Sequence, residues 1–449
     1  ARKVGGAKRG SLPVRDKGAR AAPQRGRARG VQQQVRAVYA ALEERDFAVL
    51  EELAYEPHGF CSSELRRTVW LFLLGLSPEQ AIDTGWRRLL AAVEKDGNEA
   101  KVMHADVQRS VYSWDVHTGI RKTMRDQKRI QLSEVMHAIL LRHPGRLAYF
   151  QGFHDIALVF LEVGSSSQAF HMVERLALFY LSDQLCLPFD KGLTPLLRVL
   201  FCLLRCLDAE VAEAFHDADC AELHFAVPWI LTWFAHSLPQ LHEQVMRLFD
   251  CLLASHPAMV LYFSAALILQ HREAILRTPR ELPEMVCLLQ RLPLEALDVD
   301  VWAMQARQLA TRIPPAELLS RLPPERRREL PATSPVLHFP HPWLPVSLPG
   351  AVAGRGSSDM AVAAVASGAV EDMSKLAPVY ATGRTRLPRT GGFGVGHISV
   401  GAFRRWFFRL VDSSLKRAAS RLGALGTAGA AAAIAAAWTL GPERALSAG

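Results

Sequence analysis

Apolar residues recur at helical spacing from about residue 31 to residue 325, and few stretches alternate as strands would. Ile130, Leu132, Val135, Met136, Ile139 and Leu140 make one such run. His143-Pro144-Gly145 closes it, because proline brings no amide donor and glycine accepts backbone angles that other residues avoid. The same reading predicts helices over 31–42, 47–53, 78–93, 99–114, 168–182, 193–215, 228–237, 240–254, 257–276, 282–292 and 299–311. Ser62 or Ser63 can accept from the free first-turn amides of a further helix that ends at Gly75 and Ser77-Pro78. The breaks are short and carry Pro, Gly, Ser or His-Pro, as connections between packed helices do. The expected fold class is therefore all-α, a multi-helix domain over 31–325.

One stretch interrupts this pattern informatively. Tyr149-Phe-Gln151-Gly152-Phe-His-Asp155 lies between the run ending at His143 and an almost unbroken apolar run over 156–163. A polar carboxamide at such a junction sits on a rigid platform but outside its interior, where functional side chains are often carried. Two local pairs add candidates. Asp106 and Arg109 are three apart, so the carboxylate can hold the guanidinium in a chosen direction; alone, such a surface pair is worth under ~1 kcal/mol. Arg66 and Trp70 share a helix face, a spacing that reads as a cation packed beside an indole in a structural role.

Composition changes the picture mainly at the ends. The 449 residues carry a formal charge of +9, and residues 1–30, with ten basic residues and one acidic, account for all of it. The folded part is close to neutral, which argues against a specific nucleic-acid binder; the tail reads as a disordered, solvated arm with at most non-specific affinity for RNA or acidic lipid. No apolar stretch follows its charges, so no signal peptide is expected. The seven cysteines lie mostly in apolar helical runs without a C-x-x-C pair and read as small buried hydrophobes of a reducing compartment. Cys202, Cys206, His216 and Cys220 are the one set that could supply four zinc ligands, a weaker reading.

Towards the C-terminus, 326–400 is rich in Pro, Gly, Ala and Ser and reads as a disordered linker. Residues 401–421 are basic and aromatic, and 422–441 hold no charge. Twenty uncharged residues can cross a bilayer core at about 1.5 Å per residue, so a C-terminal transmembrane helix is predicted, with an alanine-rich non-spanning tail as the alternative. Arg404, Arg405, Arg409, Lys416, Arg417 and Arg421 would keep the preceding side cytosolic, making the segment a tail anchor.

Met103-x-x-Asp106-x-x-Arg109 and Tyr149-x-Gln151-Gly152-x-x-Asp155 together resemble the two signature motifs of the TBC-domain Rab GTPase-activating proteins. Arg66-x-x-x-Trp70-x-x-Leu73-Leu74-Gly75 resembles the motif that precedes them, and Arg247-Leu-Phe249-Asp250 a later one. Gln151-Gly152-Phe-His-Asp155, Trp229-x-x-x-Trp233-Phe234 and the apolar C-terminus are most similar to the member anchored in the endoplasmic reticulum. Met103 for Ile or Val, and Phe153 for Tyr, depart from the family pattern but preserve bulk. The resemblance implies a GTP-bound Rab-family small GTPase as partner, a role in vesicle traffic of the early secretory pathway, and two catalytic residues supplied in trans. These are Arg109 as arginine finger and Gln151 as glutamine finger. Asp106 would aim Arg109; Tyr149, Gly152 and Asp155 would shape the glutamine loop; Arg66 and Trp70 would support the core. No cofactor of the chain's own is implied, since GTP and Mg2+ arrive on the partner. A non-catalytic, membrane-tethered Rab-binding scaffold is the alternative.

Overall fold

In a computed structural model of the chain, residues 22–92, 98–110, 122–238, 242–292, 294 and 297–339 are described, and their regular structure is helical throughout. Short polar side chains start several helices. The Ser62 hydroxyl accepts from the Leu65 amide at the head of Ser63–Leu73, and Asp46 accepts from Val49 at the head of Phe47–Tyr55. Ser77 with Gln80, and Ser165 with Gln168, close reciprocal capping boxes on Pro78–Ile82 and Ser166–Phe179. Such a cap typically contributes about 1 kcal/mol.

The Phe153–Val163 helix buries nine of its eleven residues, so it is enclosed on nearly every side. Against it pack Lys122–Arg142, Ser166–Phe179, Ser63–Leu73 and Asn98–Arg109. The elements bearing Arg66, Asp106, Arg109 and Gln151 thus converge on one core helix. Met259–Gln270, with ten of twelve residues buried, plays the same part further along the chain, packed against Thr194–Leu207 and Val299–Arg312.

Several elements differ from the pattern-based expectation. The single helix expected over 193–215 is two, Thr194–Leu207 and Ala209–Asp217, because Asp208 adopts extended angles and caps the second through the Val211 amide. The run 257–276 divides at His271. Within 78–93 only Pro78–Ile82 is α-helical, and Gly85–Ala92 continues as 3-10 helix. Within 228–237 the helix stops at Leu231, since Trp233 and Phe234 take φ of 51° and 62°. At the front, the helix Ala22–Glu44 begins inside the segment assigned to a disordered tail.

The boundary between domain and linker also moves. Residues 326–339 are not linker: Pro324–Glu329 is helical, and Leu330, Ser334 and Val336 are buried. The Ser334 hydroxyl donates to the Asp183 carboxylate, and the Phe339 ring meets Tyr180 edge-on at 5.1 Å. Just ahead of this boundary, Pro315 and Pro324 each sit in the first turn of a short helix, where a missing amide costs nothing. The remaining linker (340–400), the basic aromatic segment (401–421) and the predicted transmembrane span (422–441) lie outside the described residues. No described helix is long and apolar enough to cross a membrane. The zinc reading finds no support: Cys202 and Cys220 are buried, His216 is exposed, and no group of three or more His, Cys, Asp or Glu among the described residues is placed to hold a metal ion.

Candidate functional site

The helix Asn98–Arg109 buries Met103, Asp106 and Val107, each 1% exposed, on the face turned to the core. Arg109, at its last position, points outward with its side chain 67% exposed. The end of the helix is pinned by Arg129, whose Nε and Nη2 donate to the Ser110 carbonyl at 3.1 and 2.9 Å. Asp106 spends its two oxygens on different segments. Oδ1 accepts from the Arg109 guanidinium, and Oδ2 accepts from the Tyr149 hydroxyl at 2.7 Å. Burial and the neighbouring Asp106 charge push the Tyr149 phenol well above its ordinary range, so it stays protonated and donates.

Tyr149 belongs to the turn that carries Gln151. The Ala148 amide donates to the Leu185 carbonyl at 2.8 Å, and Leu147 is buried, which fixes the approach to this turn. Tyr149 then faces inward, and Gln151, two residues on, is exposed. Gly152 precedes the core helix at φ 108°, and a Cβ there would lie 2.6 Å from the Thr232 methyl. Both facts demand glycine. Asp155, in the first turn of that helix, faces two imidazoles: Oδ1 lies 3.2 Å from His154 Nε2, and Oδ2 lies 2.8 Å from His236 Nδ1. Burial opposes the Asp155 charge, but His154 and His236 outweigh it and hold the carboxyl below its usual value. His154 Nδ1 in turn meets the Tyr149 hydroxyl at 3.1 Å. A continuous polar chain therefore runs from His236 through Asp155, His154, Tyr149 and Asp106 to Arg109.

Arg66 and Trp70 lie elsewhere, within the core. They do not pair as cation and indole; both donate to Asp250, Arg66 Nε to Oδ2 at 2.9 Å and Trp70 Nε1 to Oδ1 at 2.8 Å. The Phe60 amide adds a third donor at 3.2 Å, and Arg66 reaches Glu243 with Nη1 at 2.6 Å. Burial pushes the Asp250 carboxyl up, against the pull of Arg66 and Arg247.

The structure thus brings Asp106, Arg109, Tyr149, Gln151, Gly152 and Asp155 to one place and sets Arg66 and Trp70 apart as interior supports. His154, Thr232 and His236 join the first group without having been singled out from the sequence. An exposed guanidinium and an exposed carboxamide, on adjacent segments tied to one buried carboxylate, can present charge and hydrogen bonds to a ligand brought by another molecule.

A family model described as RabGAP-TBC, the Rab-GTPase-TBC domain, matches residues 63–276. The GTPase-activating protein gyp10 of Schizosaccharomyces pombe is 31% identical over 236 residues, 53% of this chain and 60% of that protein. TBC1 domain family member 20 of Bos taurus is 29% identical over 304 residues, 67% of this chain and 73% of that protein. Its Homo sapiens counterpart is 28% identical over 294 residues, 66% and 70%. The match to the fission yeast protein spans less than two thirds of its length. All eight residues singled out from the motifs fall inside the matched span, and over residues 63–276 the chain is similar to the Rab-GTPase-TBC domain family.

Proposed function

We propose that the chain accelerates GTP hydrolysis on a Rab-family small GTPase, with Arg109 and Gln151 supplied in trans. The observation that carries this reading is the shared carboxylate: buried Asp106 holds the exposed Arg109 with one oxygen and, through Tyr149, the turn of Gln151 with the other. A small GTPase hydrolyses slowly because charge builds on the phosphates while the attacking water is poorly placed; an arginine delivered by a partner contributes about 10³–10⁵ in rate. Arg109 meets the developing charge, Gln151 holds the water, and GTP and Mg2+ belong to the partner. The names of the relatives, GTPase-activating proteins and TBC-domain proteins, support the same reading.

The deciding experiment is GTP turnover by a panel of Rab GTPases with the full chain. Arg109→Ala and Gln151→Ala should each reduce the acceleration by orders of magnitude while thermal unfolding stays at the wild-type temperature. Full acceleration by both variants would refute the roles of Arg109 and Gln151, whereas Rab binding by the wild-type chain without any acceleration would favour the scaffold reading, in which the domain recruits Rabs without catalysis.

The site of action is the cytosolic face of the endoplasmic reticulum, with 422–441 as tail anchor and the Rab one of early secretory traffic. The uncharged run behind Arg404, Arg405, Arg409, Lys416, Arg417 and Arg421 supports this placement. Truncation after Gly401 should abolish carbonate-resistant membrane association; persistence of that association in the truncated protein would refute the anchor.

A further inference from the structure

The turn that follows the helix Val227–Leu231 is strained and braced. Trp233 and Phe234 both sit in the left-handed region, a conformation that costs a bulky residue about 1–3 kcal/mol and survives only where the surroundings over-determine it. The bracing is aromatic. Trp233 meets Tyr180 and Phe249 edge-on at 5.6 and 5.5 Å, while Phe234 stacks with Trp229 at 5.8 Å and abuts Trp302 at 4.8 Å. The strain places the next residues. The His236 amide donates to the Thr232 hydroxyl at 3.2 Å, which donates to the Pro228 carbonyl at 2.6 Å. This turn therefore touches the Gln151 segment twice, with the Thr232 methyl against Gly152 and with His236 Nδ1 on Asp155.

We propose that His236 is a positioning residue for both Arg109 and Gln151, acting through Asp155, His154, Tyr149 and Asp106. By holding Oδ2 of Asp155 at 2.8 Å, it fixes the carboxylate so that Oδ1 faces His154 Nε2. That contact orients the buried His154 ring, whose Nδ1 reaches the Tyr149 hydroxyl, and Tyr149 completes the hydrogen bonding of Asp106. Without His236, the largely buried Asp155 keeps one partner, and the rest of the chain loses its outer stop. The His236 side chain is itself 54% exposed, so its replacement opens no cavity in the core.

This inference rests on the GTPase-activating reading, so the test has one arm that does not depend on it. In the full chain without GTPase, the Nε–Hε NMR signal of Arg109 is followed in His236→Ala and His236→Asn; asparagine still offers Asp155 a donor near the Nδ1 position. His236→Ala should shift the Arg109 signal while leaving that of Arg66 in place, and His236→Asn should restore it. In the second arm, with saturating GTPase, His236→Ala should lower kcat about tenfold with KM within twofold, and His236→Asn should stay within about threefold of wild type. An Arg109 signal unmoved by His236→Ala, a His236→Asn variant as impaired as alanine, or a loss confined to KM would each overturn the proposal; the last would make His236 a docking contact. If wild type accelerates no Rab, the functional reading falls, and the NMR arm alone judges the linkage.

Discussion

Two carboxylate–guanidinium pairs among the described residues, at Asp250 and at Asp106, have opposite results. At Asp250 both partners are interior: the carboxylate is fully buried and the Arg66 side chain is 1% exposed. At Asp106 only the carboxylate is interior, and the Arg109 side chain is 67% exposed. The first arrangement joins residues about 180 positions apart and leaves nothing to offer a partner, so its output is the shape of the core. Removing one member of such a pair strands a charge in the interior. The second anchors a charge by its acceptor and leaves the donor face to solvent, so its output is direction. The difference lies in which end of the pair is buried.

Breaking the outer pair should have the largest effect, and only on activity. Arg109→Ala is expected to cost at least about 10³ in GTPase acceleration, equivalent to about 4 kcal/mol of barrier, with unfolding free energy changed by less than about 0.5 kcal/mol. Breaking the inner pair should do the reverse. Asp250→Ala leaves Arg66 and the Trp70 and Phe60 donors without their acceptor and should cost about 3–5 kcal/mol of stability, read by denaturant unfolding. A stable Asp250→Ala domain would show the inner pair to be dispensable.

Gly152→Ala should cost about 1–3 kcal/mol, since alanine must adopt φ 108° and meet the Thr232 methyl. If the contrast holds, kcat falls with it, because the strain lies in the turn of Gln151. The smallest effect is a pH dependence. Asp155 is held below its ordinary value, so its contribution exists above about pH 4 and fades as pH falls through the lowered folded value. His236 has burial working against its charge, but Asp155 outweighs that and raises it, so its contribution is complete below about pH 6.5 and fades as pH rises through the raised value. The stability difference between wild type and His236→Asn should therefore peak between about pH 4 and 6.5, at about 1 kcal/mol or less given the exposure of His236. A difference that is flat with pH would mean that the pair carries no net charge interaction.

Helical spacing sufficed to read the helical class and most of the core, because apolar positions on a helix facing a core repeat whatever they touch. Asp106 with Arg109 was legible for the same reason: both lie on one helix, three residues apart. Asp155 to His236 crosses 81 positions, and no local pattern marks such a contact. The turn holding His236 was read as helix because Pro228 to Ser237 is suitably apolar. Burial of Trp233 and Phe234 among other rings overrode that propensity. Asp250 did leave a signal, a lone acid within the apolar run Leu248-Phe249-Asp250-Cys251-Leu252, which marks a buried charge that needs partners. The segment 326–339 was misread because Pro331, Ala332, Ser334 and Pro335 suit a packed run of turns as well as a linker, and composition does not report the burial of Leu330, Ser334 and Val336.

The position of Phe339 has a mechanical corollary. Its ring rests on Tyr180, and Tyr180 rests on Trp233, the residue that braces the His236 turn. Phe339 is thus two ring contacts from the turn that carries His236. A force applied at Phe339 is passed through these two ring contacts to a residue three positions from His236.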